Sequence, residues 1–250
     1  MIHVIESDDG ALEQPETQSL PRAVAHSSTL LREELSAIEG LNSAVVVRRG
    51  RPIVEINEIA LWDKTDLIVT GISRNEVDGR SLLGSTTTSL LRESGLPVLV
   101  VKKKPDDTRD RIVAAIDLSP AASGVFETAV RFFQPESLVV FHAFEPPFKN
   151  WVGDKEAYSR QLSKDAVKQI RNLSEQFKHD HGVHNIQIVT FEGDPARQLA
   201  VYVDENDIGL VVAGTDGRHA IMNLFVESVA GQILHEVQCD ILIVPSHAQN

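Results

Sequence analysis

The chain has 250 residues, enough for one large or two ordinary domains, each able to bury a core. Its 42% hydrophobic and 24% charged residues are ordinary globular composition, and the longest apolar runs, LPVLVV and DILIV, are far too short to span a bilayer. A formal net charge of −12 argues against nucleic acid or an anionic membrane as a partner, because phosphate surfaces require a basic face.

MIHVIES (1–7) opens the chain as a strand, with no basic region and apolar stretch of a secretory signal, so the cytoplasm is the expected compartment. DDGALEQPETQSLP then reads as a polar loop, and RAVAHSSTLLREELSAI (22–38) as a helix. Two basic runs, RRGR (48–51) and KKK (102–104), each sit beside a strand end or linker and read as solvated turns. KKKPDDTRD (102–110) is a charged linker, and domains are expected over 1–104 and 111–250 with 105–110 between them. RIVAAID (111–117) is an apolar strand ending in Asp117, and Ser119-Pro120 opens a helix through about Phe133. SLVVFHAF (137–144) is the next strand. Residues 155–180 carry helical periodicity and end in HDHG, where Gly182 can supply a left-handed cap. NIQIVTF (185–191) is a strand, and GDPARQLAVYVDEN places Asp194 as N-cap with Pro195 at the first helical position. The apolar run before Gly214 and the run DILIV (240–244) are the last two strands. Cys239, the only cysteine, reads as a small buried hydrophobe.

Self-comparison shows a duplication. Residues 48–101 align without a gap on 191–244, at a constant offset of 143 positions. Gly50 falls on Gly193, Pro52 on Pro195, Gly71 on Gly214 and Ser85 on Ser228. Short apolar strands alternating with helices predict a parallel sheet covered on both faces, so two tandem doubly wound α/β domains are expected. MIHVIES aligns with the second strand of the other copy, FHAFE. No counterpart of RIVAAIDLSPAASGVFETAVRFF precedes it, so the first domain counts as incomplete by one strand and one helix.

The second copy resembles the universal stress protein family over about 111–246, and the first copy resembles it from the second strand onward. The residues that carry the resemblance are IDLS with Asp117, HAFEPP, GDP, GTDGR and ESVAGQILHEVQCDILIVP. It implies five parallel strands in the order 3-2-1-4-5 and a role in stress response or regulation. The nucleotide-binding branch carries Gly-x2-Gly-x9-Gly-[Ser/Thr] between the fourth strand and fourth helix. Two glycines let backbone approach a phosphate, and the third lies at a helix N-terminus, where free N–H groups favour an anion. The resemblance thus implies an adenine nucleotide (AMP, ADP or ATP) held by Asp117, the backbone of Ala143, Gly214, Gly217 and Ser228. The partial motif Gly71, Gly84 and Ser85 would form a second site, with Arg74 replacing its middle glycine.

Neither copy has the full motif. In the second, Glu227 stands at the third glycine. A carboxylate there either occupies the place of an anion and repels a triphosphate, or faces solvent while its N–H still serves the ligand. AMP or a nucleoside therefore suits the site better than ATP. The rival reading is a scaffold of the same fold that binds no nucleotide; a slow ATP hydrolase is a third, without a residue suited to metal or general base. His179, His181 and His184 read as a helix terminus and not a metal site, His142 as a packed strand-end histidine, and neither Ser85 nor Ser228 has the His-Asp partners of a nucleophile. In the family order PVLVV (97–101) and DILIV (240–244) lie at sheet edges, and apolar edges invite pairing. The copies are expected to join there as an intramolecular pseudo-dimer, with a homodimer as a further arrangement.

Overall fold

The computed structural model describes residues 1–6, 19–72, 76–77, 80–81, 83–104, 111–120, 122–134, 136–148, 151–181, 183, 185–215 and 228–246. They form two compact units, Met1–Thr65 and Asp66–Asn250. No helix among the described residues is long and apolar enough to cross a membrane.

In the first unit β1 (Ile2–Glu6) pairs in parallel with β2 (Val46–Gly50), in register from Ile2↔Val46 to Glu6↔Gly50. α1 (Ser19–Ser36) connects them and starts three residues before the predicted helix. Pro21 falls inside its first turn, where a missing N–H costs no helical bond. α2 (Pro52–Trp62) follows β2 through a turn that only glycine suits: Gly50 has φ 152°, and a Cβ there would lie 2.6 Å from Glu55 Oε1. The run Arg48, Arg49 and Arg51 is exposed, as its charge requires.

The second unit holds a seven-stranded sheet in the order β3-β6-β11-β10-β7-β8-β9. Its strands are β3 (Ile68–Gly71), β6 (Val98–Val101), β7 (Ile112–Ala115), β8 (Ser137–Phe144), β9 (Asn185–Glu192), β10 (Leu210–Gly214) and β11 (Asp240–Val244). A short antiparallel hairpin, β4 (Glu76–Val77) with β5 (Arg80–Ser81), stands apart from this sheet and carries no periodicity long enough to be predicted. The helices are α3 (Ser85–Glu93), α4 (Ala122–Phe133), α5 (Lys155–His181), α6 (Pro195–Glu205) and α7 (Val229–Glu236). From β9 to β11 the strands run third, second, first, fourth, fifth in the second copy, all parallel, which is the 3-2-1-4-5 order the resemblance implies.

The apolar runs behave as strands buried on both faces: Val113, Val140, Val211, Val212, Ile241 and Leu242 are all fully buried. One face packs under α4 and α5 through Val125, Phe126, Ala129, Val130 and Ile170. The turn into α6 repeats the turn into α2. Gly193 has φ 133°, its added Cβ would lie 2.8 Å from Gln198 Nε2, and Asp194 caps the helix by accepting from the Arg197 N–H at 2.9 Å. Glu55 and Gln198 are themselves 143 positions apart, so the repeat extends to the contact each glycine allows.

The two last strands pair, as their apolar edges predict. β6 lies antiparallel to β11 with Val98↔Ile243, Leu99↔Leu242 and Val100↔Ile241. Leu99 and Leu242 are counterparts in the repeat, so the pairing is centred on equivalent residues and a local two-fold axis passes through them. Just past β6, Lys103 and Lys104 are exposed, as the solvated turn expected at 102–104 requires, but Lys102 is not. The Lys102 Nζ donates to the Leu234 and Val237 carbonyls, both at 2.6 Å, and its N–H donates to Asp240 Oδ1 at 2.8 Å. A cation at the C-terminal end of α7 satisfies carbonyls that the helix leaves open. Cys239 is buried as expected, and burial pushes its thiol up to about 12.

Candidate functional site

β7 and β10 are neighbours, and the chain leaves them toward opposite faces of the sheet, α4 after β7 and α7 after β10. Open α/β sheets bind ligands in the crevice beyond such a reversal of strand order. A cavity of about 470 Å³ lies there, walled by the ends of β7, β8 and β10 and the starts of α4, α6 and α7. Its lining includes Asp117, Ala143 and Gly214, three of the five residues predicted for the second copy. Ser228 is adjacent, immediately before the lining residues Val229 and Ala230. Gly217, with Glu227 and Arg74, lies outside the described residues.

Asp117 ends β7 in a tight local turn. Its Oδ1 accepts from the Ser119 N–H at 3.0 Å, while Leu118 between them takes φ 61°, left-handed for a branched side chain. That conformation costs about 1–2 kcal/mol. It leaves two polar atoms buried at the cavity wall without a hydrogen-bond partner, Asp117 Oδ2 and Ser119 Oγ. Such groups carry a desolvation cost until a donor or acceptor meets them. Nothing about Ser119 in the sequence beyond its helix-opening position signalled this role.

Ala143 stands two residues after Phe141, whose carbonyl accepts from the Ile116 N–H at 3.0 Å. By the alternation of a strand, the N–H and C=O of Ala143 face the same side, beyond Ala115, the last residue of β7 paired with β8. Its backbone is therefore presented to the cavity, which an alanine side chain does not obstruct. His142 turns its ring the other way: buried, it holds the Ile116 carbonyl through Nδ1 at 2.8 Å and ties β8 to β7. This is the packed histidine that was expected. Phe141 stacks on Phe191 at 5.3 Å and tilts against Tyr202 at 5.7 Å, so the cavity rests on an aromatic layer.

At the other wall Gly214 ends β10. A Cβ there would come within 3.0 Å of Val125 Cγ2, so the glycine keeps the backbone against α4 and the crevice open. Ser228 is the N-cap of α7, its Oγ accepting from the Gly231 N–H at 3.1 Å. The charged residues lining the cavity are Asp117, Glu145 and Asp194; no Lys, Arg or His is among the described lining residues. Three carboxylates favour a ligand that donates hydrogen bonds and disfavour a dense anion. The residues present fit a nucleoside, whose ribose hydroxyls and amino group are donors for Asp117.

The partial motif of the first copy is arranged differently. Gly71 ends β3 in open space, with nothing within 4 Å of an added Cβ, and Gly84 is an N-cap of α3 that offers no side chain. Ser85 is exposed on the first turn. Among the described residues of the sheet no strand stands beside β3 where β7 stands beside β10, so none of them holds the place toward Gly71 that Asp117 holds toward Gly214.

The sequence profile described as the universal stress protein family matches residues 1–102 and 108–245. The universal stress protein Rv2005c of Mycobacterium tuberculosis is 24% identical over 262 residues, spanning 97% of this chain and 85% of that protein. The universal stress protein Sll1388 of Synechocystis is 25% identical over 150 residues, 54% of this chain and 96% of its own length. Among solved structures, that of a universal stress protein from Archaeoglobus fulgidus matches with a TM-score of 0.68 at 20% identity, covering 97% of this chain and 85% of that one. A functionally unknown protein from Pseudomonas aeruginosa matches at 0.63 and 20% identity, with 98% and 92% covered. Two family segments, a gapless internal repeat and the shared parallel fold agree: the chain belongs to the universal stress protein family and carries it in tandem.

Proposed function

We propose that this universal stress protein is a cytoplasmic stress-response regulator whose second copy, residues 111–250, binds an adenine nucleotide in the cavity at the ends of β7 and β10. The observation that carries this is the buried, unpartnered Asp117 Oδ2 at the cavity wall, beside a strained Leu118. A ribose hydroxyl or exocyclic amine meets that oxygen. The Ala143 backbone contacts the base, Gly214 and Ser228 serve the phosphate side, and the same role is assigned to Gly217 from its place in the motif. The three carboxylates of the lining make AMP or a nucleoside the better ligand and ATP the poorer one. The first copy, residues 1–104, uses Gly71, Gly84 and Ser85 weakly or not at all, because among the described residues no strand stands beside β3 to bring up a counterpart of Asp117. The antiparallel pairing of β6 with β11 supports joining the copies as an intramolecular pseudo-dimer.

Calorimetric titration of the full chain with ATP, ADP and AMP tests the proposal. Saturable binding, weakened about ten- to hundredfold in Asp117→Ala, is the expected result. No saturable binding at millimolar nucleotide favours the competing scaffold function, in which the same fold serves protein contacts alone. Glu227→Gly restores the third glycine and is expected to tighten ATP binding more than AMP binding.

A further inference from the structure

β10 has a neighbour on each side, β11 and β7, and its Val212 is fully buried under α4. β3 is its counterpart in the repeat, yet among the described residues it ends the sheet, with β6 as its one neighbour. Val69, the counterpart of Val212, is 60% exposed. The face involved is set by register. Val69 lies beside Leu99, and Leu99 beside Leu242, which belongs to the core packed under α4. Val69 thus extends the helix-covered face of the sheet by one strand, and its exposure shows that no described helix covers it. Among the described residues the edge is open as well. Ile68 donates its N–H to the Pro97 carbonyl, so by alternation Val69 turns its N–H and C=O to the side away from β6.

We propose that this edge is an acceptor for an added strand: an apolar segment running parallel to β3, followed by a helix whose apolar face covers Val69. The second copy specifies the chemistry, because residues 112–133 fill the equivalent place on β10. There β7 pairs as Ile112↔Leu210 and Ala114↔Val212, and α4 then buries Val125, Phe126, Ala129 and Val130. An unpaired edge with an exposed branched side chain is the pairing surface that strand addition uses. The occupant is a strand-and-helix segment of that pattern, uncharged along the strand.

The probe is a fluorescently labelled peptide of residues 111–134 of this chain, titrated into the full-length protein and followed by anisotropy. Val69→Pro removes the outward N–H at an edge position, where proline fits a strand. Saturable binding that falls tenfold or more in Val69→Pro, and is unchanged by saturating AMP, supports the proposal. Far-UV circular dichroism checks the variant's fold; if Val69→Pro misfolds, Val69→Lys, which places a charge on the edge, takes its place with the same expected loss. Absence of binding, or equal binding to the variant, overturns it. So does a sedimenting dimer that the variant dissociates while the peptide fails to bind, since the edge would then serve a second copy.

Discussion

At the scale of single residues, two side chains carry opposite kinds of cost. Asp117 keeps a buried oxygen without a partner, a cost without structural return in the free protein. Asp117→Ala removes that cost together with the Oδ1 acceptor of the Ser119 N–H, so unfolding stability is expected to fall by no more than about 1 kcal/mol, while nucleotide binding falls at least tenfold. A residue with a mainly structural role would show the reverse, and urea unfolding beside calorimetry separates them. Lys102 is the other case. Burial lowers its pKa from 10.5 to about 8, against the opposing pull of Cys239 and Asp240. Between those values the unfolded chain binds the extra proton, so this group's contribution makes stability rise with pH. Cys239 acts in the other direction: burial raises its thiol from 9.0 to about 12, so above pH 9 the folded state holds the extra proton and stability falls. The Lys102 slope is expected between pH 8 and 9 and is offset above. In Lys102→Met, urea midpoints at pH 7, 8 and 9 should lose that rise. Stability at pH 7 should drop by about 1–3 kcal/mol, because the Leu234 and Val237 carbonyls lose their donor.

At the scale of elements, local chemistry was legible and long-range contact was not. The cap and proline of α6 and the apolar strands β7, β10 and β11 all follow from residues a few positions apart. That Asp117 and Gly214 line the crevice was legible, because strand ends are where such folds open a cavity. Ser119 was not, since its burial depends on the turn at Leu118 and on walls from distant segments. Lys102 was misread because its partners lie more than 130 positions away, and a run of three lysines looks solvated when only its first member turns inward. The repeated turn gives an element-scale prediction. Gly193→Ala meets both a positive φ and the Gln198 side chain, and it should cost about 1–2 kcal/mol in chemical unfolding. Adding Gln198→Ala should recover only part of this, since it removes the contact and leaves the backbone strain. Gly71→Ala, with open space around it, should be close to neutral.

At the scale of the molecule, the repeat and the compact units divide the chain at different places. The repeat breaks after residue 101, whereas the units separate at Thr65, because pairing with β11 draws β3, α3 and β6 into the second copy's sheet. Sequence comparison could place the duplication but not this division, which depends on a strand pair formed across the linker. The first unit has a sheet of two strands with no fully buried residue in either, and such sheets are marginal by themselves. Hydrogen exchange is therefore expected to be slowest at 98–101, 112–115, 211–213 and 241–244, and markedly faster at 2–6 and 46–50. Equal protection in both sets would contradict this.

The Lys102 clip also bears on which strand β11 pairs with. Under the local two-fold, the counterpart of Lys102 is Pro245 and that of Asp240 is Pro97, so the clip exists on one side only. If β11 of one molecule met β11 of another in the same register, Asp240 would face Pro245, which has no N–H to give, and the end of α7 would lose its ammonium. A symmetric encounter between molecules is thereby disadvantaged against the asymmetric one within the chain. Having once been duplicated, the two strands have diverged into a matched pair, each less suited to its own likeness than to the other.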